Sequence, residues 1–317
     1  MVHMMVSRKI VIPGGAGLVG QNLIAHMKNK GFDERNIYVI DKHKKNLDIL
    51  KRMHKSINCI EADLAEHGSW EDTFQNAECV VQLQAQIGGL TIDPFIRNNI
   101  LSTENVISAI KKYNVPYLIH FSSSVVNSVA DDFYTNTKKK QEELVKNSGV
   151  KHIILRPTLM FGWFDRKHLG WLSRFMHKTP IFPIPGNGKF MRQPLYASDI
   201  SDIVISCIAS NKTGEYNISG QEKVDYIDII REIKKVTESH TLIVCIPYSL
   251  FYFLLKAYSL FDKDPPFTTQ QLAALVAHDE FEVIDWPSIF NVKSTPFNDA
   301  IRETFTNPKY SHIVLEF

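Results

Sequence analysis

The sequence predicts an α/β protein built on a doubly wound parallel sheet, and three observations carry that expectation. Short runs rich in Val, Ile and Leu alternate with longer stretches of helical periodicity up to about residue 157. Most of these runs are apolar on consecutive residues, as strands buried on both faces are. The first run leads straight into Gly14-Gly15-Ala16-Gly17-Leu18-Val19-Gly20, a glycine turn that opens a helix.

In chain order, the expected strands are Lys9–Ile12, Ile37–Ile40, Ile57–Ile60, Val80–Leu83, Leu118–Phe121 and His152–Leu155. Val19, Leu23, Ile24 and Met27 give the first helix its apolar face, and residues 99–112 repeat helical spacing between the fourth and fifth strands. After Arg156-Pro157 the regularity breaks. Trp163, Trp171, Pro180, Pro183, Pro185, Gly186 and Gly188 crowd a loop-rich stretch suited to walling a pocket. The chain returns to the sheet near 195–209 and 216–218, then leaves it again. The expected division is a nucleotide-binding unit of residues 1–157 with about 193–219, and a smaller, discontinuous substrate lobe of about 158–192 and 220–317. Within that lobe Thr268-Thr269-Gln270-Gln271 reads as a capping box opening a helix through Leu272 and Leu275.

Composition excludes several function classes. In 317 residues, Lys+Arg 36 against Asp+Glu 34 leaves a formal charge of +2, without the dense basic stripe that nucleic acid requires. Cys59, Cys79, Cys207 and Cys245 are far apart in apolar stretches, so they read as reduced packing residues and not as a metal or redox pair. No metal is expected. The start, Met1 to Val6, runs into the first strand without an export signal, which reads as cytoplasmic. The most apolar segment, residues 246–261, is shorter than the roughly 20 residues of a membrane span and contains Lys256, so it reads as an amphipathic helix.

Glycines at 14, 17 and 20 allow a tight turn, close approach of the backbone to a pyrophosphate, and close packing of the helix behind it. The second strand ends in Asp41, about 20 residues further on, where a carboxylate binds adenosine ribose hydroxyls and repels a 2′-phosphate. The expected cofactor is therefore NAD before NADP, although Lys42, Lys44 and Lys45 blur the choice. Asp63, after the third strand, is placed to meet the adenine amine or simply to shape a turn.

Tyr134-Thr135-Asn136-Thr137-Lys138 opens a helical stretch, and spacing of i and i+4 puts Tyr134 and Lys138 on one face. An adjacent ammonium stabilises a phenolate, making Tyr134 a proton donor or acceptor near neutral pH. Ser122-Ser123-Ser124 follows the fifth strand at its carboxyl end, where open α/β sheets bind ligands.

With glycine turn, Asp41, serine triplet, YxxxK and Arg156-Pro157 in this order, the chain resembles the extended short-chain dehydrogenase/reductases, a Rossmann-type fold. More narrowly it is similar to their NAD-dependent epimerase/dehydratase branch, which acts on nucleotide sugars. Asn99-Ile100-Leu101-Ser102-Thr103-Glu104-Asn105, Arg156-Pro157-Thr158-Leu159-Met160-Phe161-Gly162 and Gly214-Glu215-Tyr216-Asn217-Ile218 match further family motifs. The resemblance implies Ser124, Tyr134 and Lys138 as catalytic residues, with Ser123 competing for the serine role. It also implies a cofactor cradle of Gly14, Gly17, Leu18, Val19, Gly20, Asp41, Asp63, Leu64, Leu83, Gln84, Ala85, Ser122, Tyr134, Lys138 and Pro157. Gln86, Ser124 and Arg192 would face the substrate, with Arg192 on its diphosphate. The implied reaction moves hydride between a sugar carbon and nicotinamide C4 while Tyr134 carries the proton. A homodimer through the YxxxK helix and the helix before it is implied as well.

Three departures bear on function. Gln82-Leu83-Gln84-Ala85 stands where the family has H-L-A-A, placing larger polar side chains near the cofactor. Val125-Val126 stands where sugar 4,6-dehydratases carry Asp-Glu, which disfavours dehydration. Nine residues separate Ser124 from Tyr134, a short loop for a sugar epimerase. Epimerase, ketosugar reductase and sugar dehydrogenase all remain open. So do a non-catalytic dinucleotide-binding subunit and, from the aromatic run at 247–255, a dehydrogenase of an apolar sterol or isoprenoid.

Overall fold

Six apolar runs become parallel strands: β1 (Ile10–Pro13), β2 (Ile37–Asp41), β3 (Asn58–Glu61), β4 (Cys79–Gln82), β5 (Leu118–Phe121) and β6 (His152–Pro157). The computed structural model describes residues 7–258, 269–276 and 281–316. With β11 (Gly214–Ile218) the six form one parallel sheet in the order β11-β6-β5-β4-β1-β2-β3, so the winding reverses between β1 and β4. Ligands of open α/β sheets bind at that switch point, beyond the carboxyl ends of the strands.

The two faces are covered by different helices. Ile10, Ile12, Val39, Val81, Ile119 and Leu155 meet α1 (Leu18–Asn29) and α6 (Ala197–Ser210). Val11, Ile40, Val80, Leu118 and Ile154 point to the other face, with Val106, Ile107 and Ile110 of α3 (Ser102–Lys112) and Val145 of α4 (Phe133–Lys146). Alternation along each strand therefore feeds two cores at once. The helix expected over 99–112 is regular only from Ser102, because residues Ile96–Leu101 form a wider π turn. α2 (Lys44–Met53) follows β2.

A third core gathers Phe161 of β7 (Met160–Phe161) and Tyr196 of β10 (Leu195–Tyr196) with Leu169, Met176, Phe182, Ile227, Ile230 and Ile301, from α5 (Leu169–Lys178), β8 (Ile181–Pro185), α7 (Tyr226–Val236) and α11 (Phe297–Thr306). Trp286 and Phe290 of α10 (Trp286–Phe290) instead pack into the sheet's first core, where the Trp286 indole donates to the Ser219 carbonyl at 2.8 Å. The segment read as the start of an amphipathic helix forms α8 (Tyr248–Tyr258), in which only Phe251 is buried while Leu250, Phe253 and Leu254 are exposed. α9 (Thr269–Val276) lies where the capping box was expected; Thr268, its capping residue, lies outside the described residues, as do Met1–Val6. Among the described residues no helix is long and apolar enough to cross a membrane. The cysteines are free, but Cys245 is exposed, so it is not the packing residue expected.

Candidate functional site

The glycine turn is shaped by sterics at two positions and by open space at a third. Gly14 has φ +75°, and a Cβ there would lie 2.3 Å from the Gln84 backbone nitrogen. A Cβ on Gly20 would lie 2.2 Å from the Gly15 carbonyl oxygen, the close packing that seats α1 behind the turn. At Gly17 it would meet nothing within 4 Å. Gly17 is the N-cap of α1 and offers no side-chain cap, so the first N–H groups, through Leu18 and Val19, face this open space.

Asp41 is buried at the end of β2, accepting from the Ala16 N–H at 3.1 Å and the His43 N–H at 3.0 Å. It ties the turn to β2 and keeps lone pairs for a further donor. The three lysines that blurred the NAD preference have partners elsewhere. Lys42 donates to Asn98 at 2.7 Å, Lys44 lies 3.7 Å from Glu61, and Lys45 pairs with Glu316 at 2.5 Å. Asp63 accepts from the Ala65 N–H and from Arg97; these contacts outweigh burial and hold its carboxyl below the usual range. Leu64 beside it is buried in the second core.

The Gln82–Ala85 run does not behave as one unit. Gln82 is buried and donates to Thr103 of α3 at 2.8 Å. Leu83 packs on the first core and Ala85 is exposed. The Gln84 amide nitrogen and oxygen are sealed from solvent and have no hydrogen-bond partner. Gln86 is knitted to the π turn: its N–H donates to Asn99 Oδ1 at 2.6 Å and its side-chain oxygen accepts from Asn98 at 2.7 Å. Arg97, Asn98 and Asn99 thus hold the loops after β3, β2 and β4 respectively.

At the end of β5, Ser122 is buried and lies beside Glu142 of α4. Ser123 accepts from the Val125 N–H at 3.4 Å and lies near the Tyr134 phenol; Ser124 is buried at the start of a 3-10 turn, Ser124–Asn127. Of the two serines weighed, Ser123 is the one whose hydroxyl acts on the Tyr134 phenol. Burial pushes the Tyr134 phenol above its ordinary value, the neighbouring Ser123 hydroxyl opposes that, and Asp132 adds to it. Asp132 also caps α4, accepting from the Thr135 N–H at 2.8 Å, and so fixes the turn that presents Tyr134.

Lys138 is 1% exposed. Its ammonium donates to the Phe121 carbonyl at 2.8 Å and to the Gln141 side-chain oxygen at 2.7 Å. Its contacts lie toward the sheet, because a buried ammonium needs acceptors and β5 supplies one. Burial pushes it down to about 7, with Glu142 acting the other way. Arg156 of β6 grips Glu142 and also pairs with Glu215 of β11, a structural role that the RP motif alone does not disclose. Pro157 closes β6, buried.

Arg192 donates to its neighbour's carbonyl, Met191, and to the Leu275 carbonyl of α9, so it fastens α9 to β9 (Met191–Arg192). Asp199, in the first turn of α6, binds the Thr295 N–H and hydroxyl at 3.0 and 2.6 Å, and burial pushes its carboxyl up to about 6. Among the described residues no group of three or more His, Cys, Asp or Glu is arranged to hold a metal.

A dinucleotide fits this cleft on two observations: the space that Gly17 leaves open before α1, and the unpartnered amide of Gln84 directly across from Gly14.

Residues 10–219 match the model of the NAD dependent epimerase/dehydratase family. The chain is 25% identical over 153 residues to the NADH-ubiquinone oxidoreductase 40 kDa subunit of Neurospora crassa, covering 48% of this chain but 40% of that one. It is 24% identical over 271 residues to GDP-L-fucose synthase of Dictyostelium discoideum, covering 73% of this chain and 79% of the relative. Among solved structures, UDP-glucuronic acid 4-epimerase from Bacillus cereus, in complex with NAD, shares the fold with a TM-score of 0.62 at 20% identity, over 84% of this chain and 99% of that one. From the glycine turn through β11, the chain belongs to the NAD dependent epimerase/dehydratase family.

Proposed function

We propose that this protein is an NAD-dependent enzyme that oxidises and reduces a carbon of a nucleotide-linked sugar, as an epimerase or as a ketosugar reductase or dehydrogenase. The observation that carries the reading is the placement of the serines at the carboxyl end of β5 beside the first turn of α4, where Tyr134 stands one helical turn from Lys138, on the same sheet edge as the open turn at Gly17. Gly17, Leu18 and Val19 would hold the pyrophosphate and Asp41 the adenosine ribose, with Gln84 facing the nicotinamide half. When bound, NAD supplies the hydride acceptor and donor. Tyr134 takes and returns the proton of the sugar hydroxyl, and Ser123 orients that hydroxyl. Lys138 turns outward from Phe121 to hold the nicotinamide ribose.

Residues 1–157 with about 193–219 form the cofactor unit in this reading, and the remainder closes over the sugar. Elimination of water is disfavoured, because the turn after the serines carries Val125 and Val126 where sugar 4,6-dehydratases carry Asp-Glu. A homodimer through α3 and α4 belongs to the same proposal, and sedimentation velocity measures it.

The deciding experiment is NADH fluorescence titration followed by turnover on UDP-, dTDP- and GDP-linked sugars, with Tyr134→Phe in parallel. Binding with turnover that Tyr134→Phe abolishes supports the reading; absence of binding defeats it. The similarity to a respiratory-complex subunit favours a second reading, a dinucleotide-binding subunit without catalysis. NADH binding with no turnover in wild type or Tyr134→Phe would select that alternative.

A further inference from the structure

Between β4, β5, α3 and α4 lies a row of polar side chains that the proposed chemistry leaves unused. His120, Thr103 and Gln141 are fully buried and Gln82 nearly so. Gln82 and His120 come together because they are register partners on adjacent strands, facing the same helix layer. His120 Nδ1 lies 3.2 Å from the Gln82 side-chain oxygen, the Gln82 amide donates to Thr103 Oγ1 at 2.8 Å, and the Gln141 amide donates to the same oxygen at 2.8 Å. The Gln141 side-chain oxygen then receives the Lys138 ammonium at 2.7 Å.

The direction of each bond follows from the first. Burial, with Lys138 and His152 nearby, holds His120 well below its ordinary value, so it is neutral and carries one ring proton. That proton sits on Nδ1, pointing at Gln82, because Nε2 is buried with no partner. Gln82 must present its oxygen to His120 and hence its NH2 to Thr103. Thr103 Oγ1, accepting from both amides, obliges Gln141 to turn its NH2 inward and its oxygen toward Lys138.

We propose that Gln141 is a positioning residue for Lys138, its amide oxygen fixed on the ammonium by the buried chain through Thr103 and Gln82 to His120. The proposal rests on the reading of Lys138 as a ligand of the cofactor ribose. The ammonium lies where burial alone would strip its proton. Two neutral oxygens, from Phe121 and Gln141, accept from Nζ and so favour the charged form. The charged and titratable groups around Lys138 are Glu142 on α4 and His120 on β5. Glu142 is itself committed to Arg156 of β6, and His120 is neutral. Gln141 is therefore the uncharged contact whose exchange for a charged or an apolar side chain moves Lys138 in opposite directions.

The test is the titration of the Lys138 side-chain nitrogen by NMR of protein labelled with 15N at the lysine ε-amine, its signal assigned with Lys138→Met. Gln141→Leu lowers the titration midpoint by about one pH unit or more, and Gln141→Glu raises it by a comparable amount. Thr103→Val, which frees the Gln141 amide to turn over, lowers it by less. In NADH titrations the alkaline loss of affinity moves in the same order. A midpoint that stays within a few tenths of a unit in both Gln141 variants overturns the proposal. Should Gln141→Leu fail to fold, Gln141→Glu and Thr103→Val decide it. If wild type binds no NADH while the Lys138 midpoint still follows Gln141, the positioning holds and the cofactor reading is what falls.

Discussion

Arg156 and Glu142 meet through two parallel hydrogen bonds of 2.7 and 2.6 Å, which bolt the helix carrying Tyr134 and Lys138 to the strand beside it. The pair is nearly out of solvent, with side chains 13% and 6% exposed, so its loss is not absorbed by water. Glu142→Gln should lower the unfolding free energy by about 2 kcal/mol, read from urea denaturation midpoints at constant slope. An unchanged midpoint would show that Glu215 and Lys146 hold β6, β11 and α4 together without it.

The glycine turn separates folding from binding. Gly14→Ala drives a methyl group into the Gln84 backbone at a positive φ, so thermal stability should fall. Gly17→Ala places its methyl in open space, and the melting temperature should hold within a degree or so while NADH affinity drops about tenfold or more. Equal effects of Gly17→Ala on melting and affinity would mean that the space belongs to the protein and not to a ligand.

Ser123 and Ser124 make opposite predictions. Ser123→Ala removes the hydroxyl that acts on the Tyr134 phenol and should reduce kcat by about a hundredfold, with NADH affinity unchanged. Ser124→Ala should leave kcat within a few-fold. Reversal of that order would return the catalytic role to Ser124, as the family motif implies.

Asp199 imposes a pH dependence of defined sign. Burial raises its carboxyl from 3.8 to about 6 in the folded state, so the folded protein binds the proton more tightly than the unfolded chain. Its stabilising contribution is complete below the unfolded value and is lost as pH rises through about 6. Between pH 4 and 7, wild type should lose on the order of 2 kcal/mol relative to Asp199→Asn, in parallel urea titrations. Parallel curves would place the carboxylate's stabilisation on Thr295 instead.

How far the sequence disclosed this molecule depended on how local each interaction is. The strand Leu118–Phe121 was legible because all four residues are buried, Ile119 and Phe121 in one core and Leu118 in the other. Tyr134 and Lys138 were legible as neighbours because helix periodicity alone relates them. The contact of Lys138 with β5 was not, since it depends on a carbonyl seventeen residues away in sequence. Gln82, Thr103, His120 and Gln141 lie in four different elements, and only the register of β4 on β5 brings the first strand pair together. That Ser123 and not Ser124 lies near Tyr134 depends on the path of the 3-10 turn that opens at Ser124, which spacing does not encode. Arg192 was expected on the substrate diphosphate, yet its guanidinium donates to a carbonyl of α9, far along the chain.

The π turn at Ile96–Leu101 gives the site a single point of mechanical control. Three consecutive side chains there hold three separate loops, so their relative phase around the helix axis sets where those loops meet. Removing one residue from the turn would restore ordinary α geometry and rotate everything before it by about 100° relative to α3. Arg97, Asn98 and Asn99 would release Asp63, Lys42 and Gln86 together. The cleft would then change shape as one body, without any substitution at a position that touches cofactor or substrate.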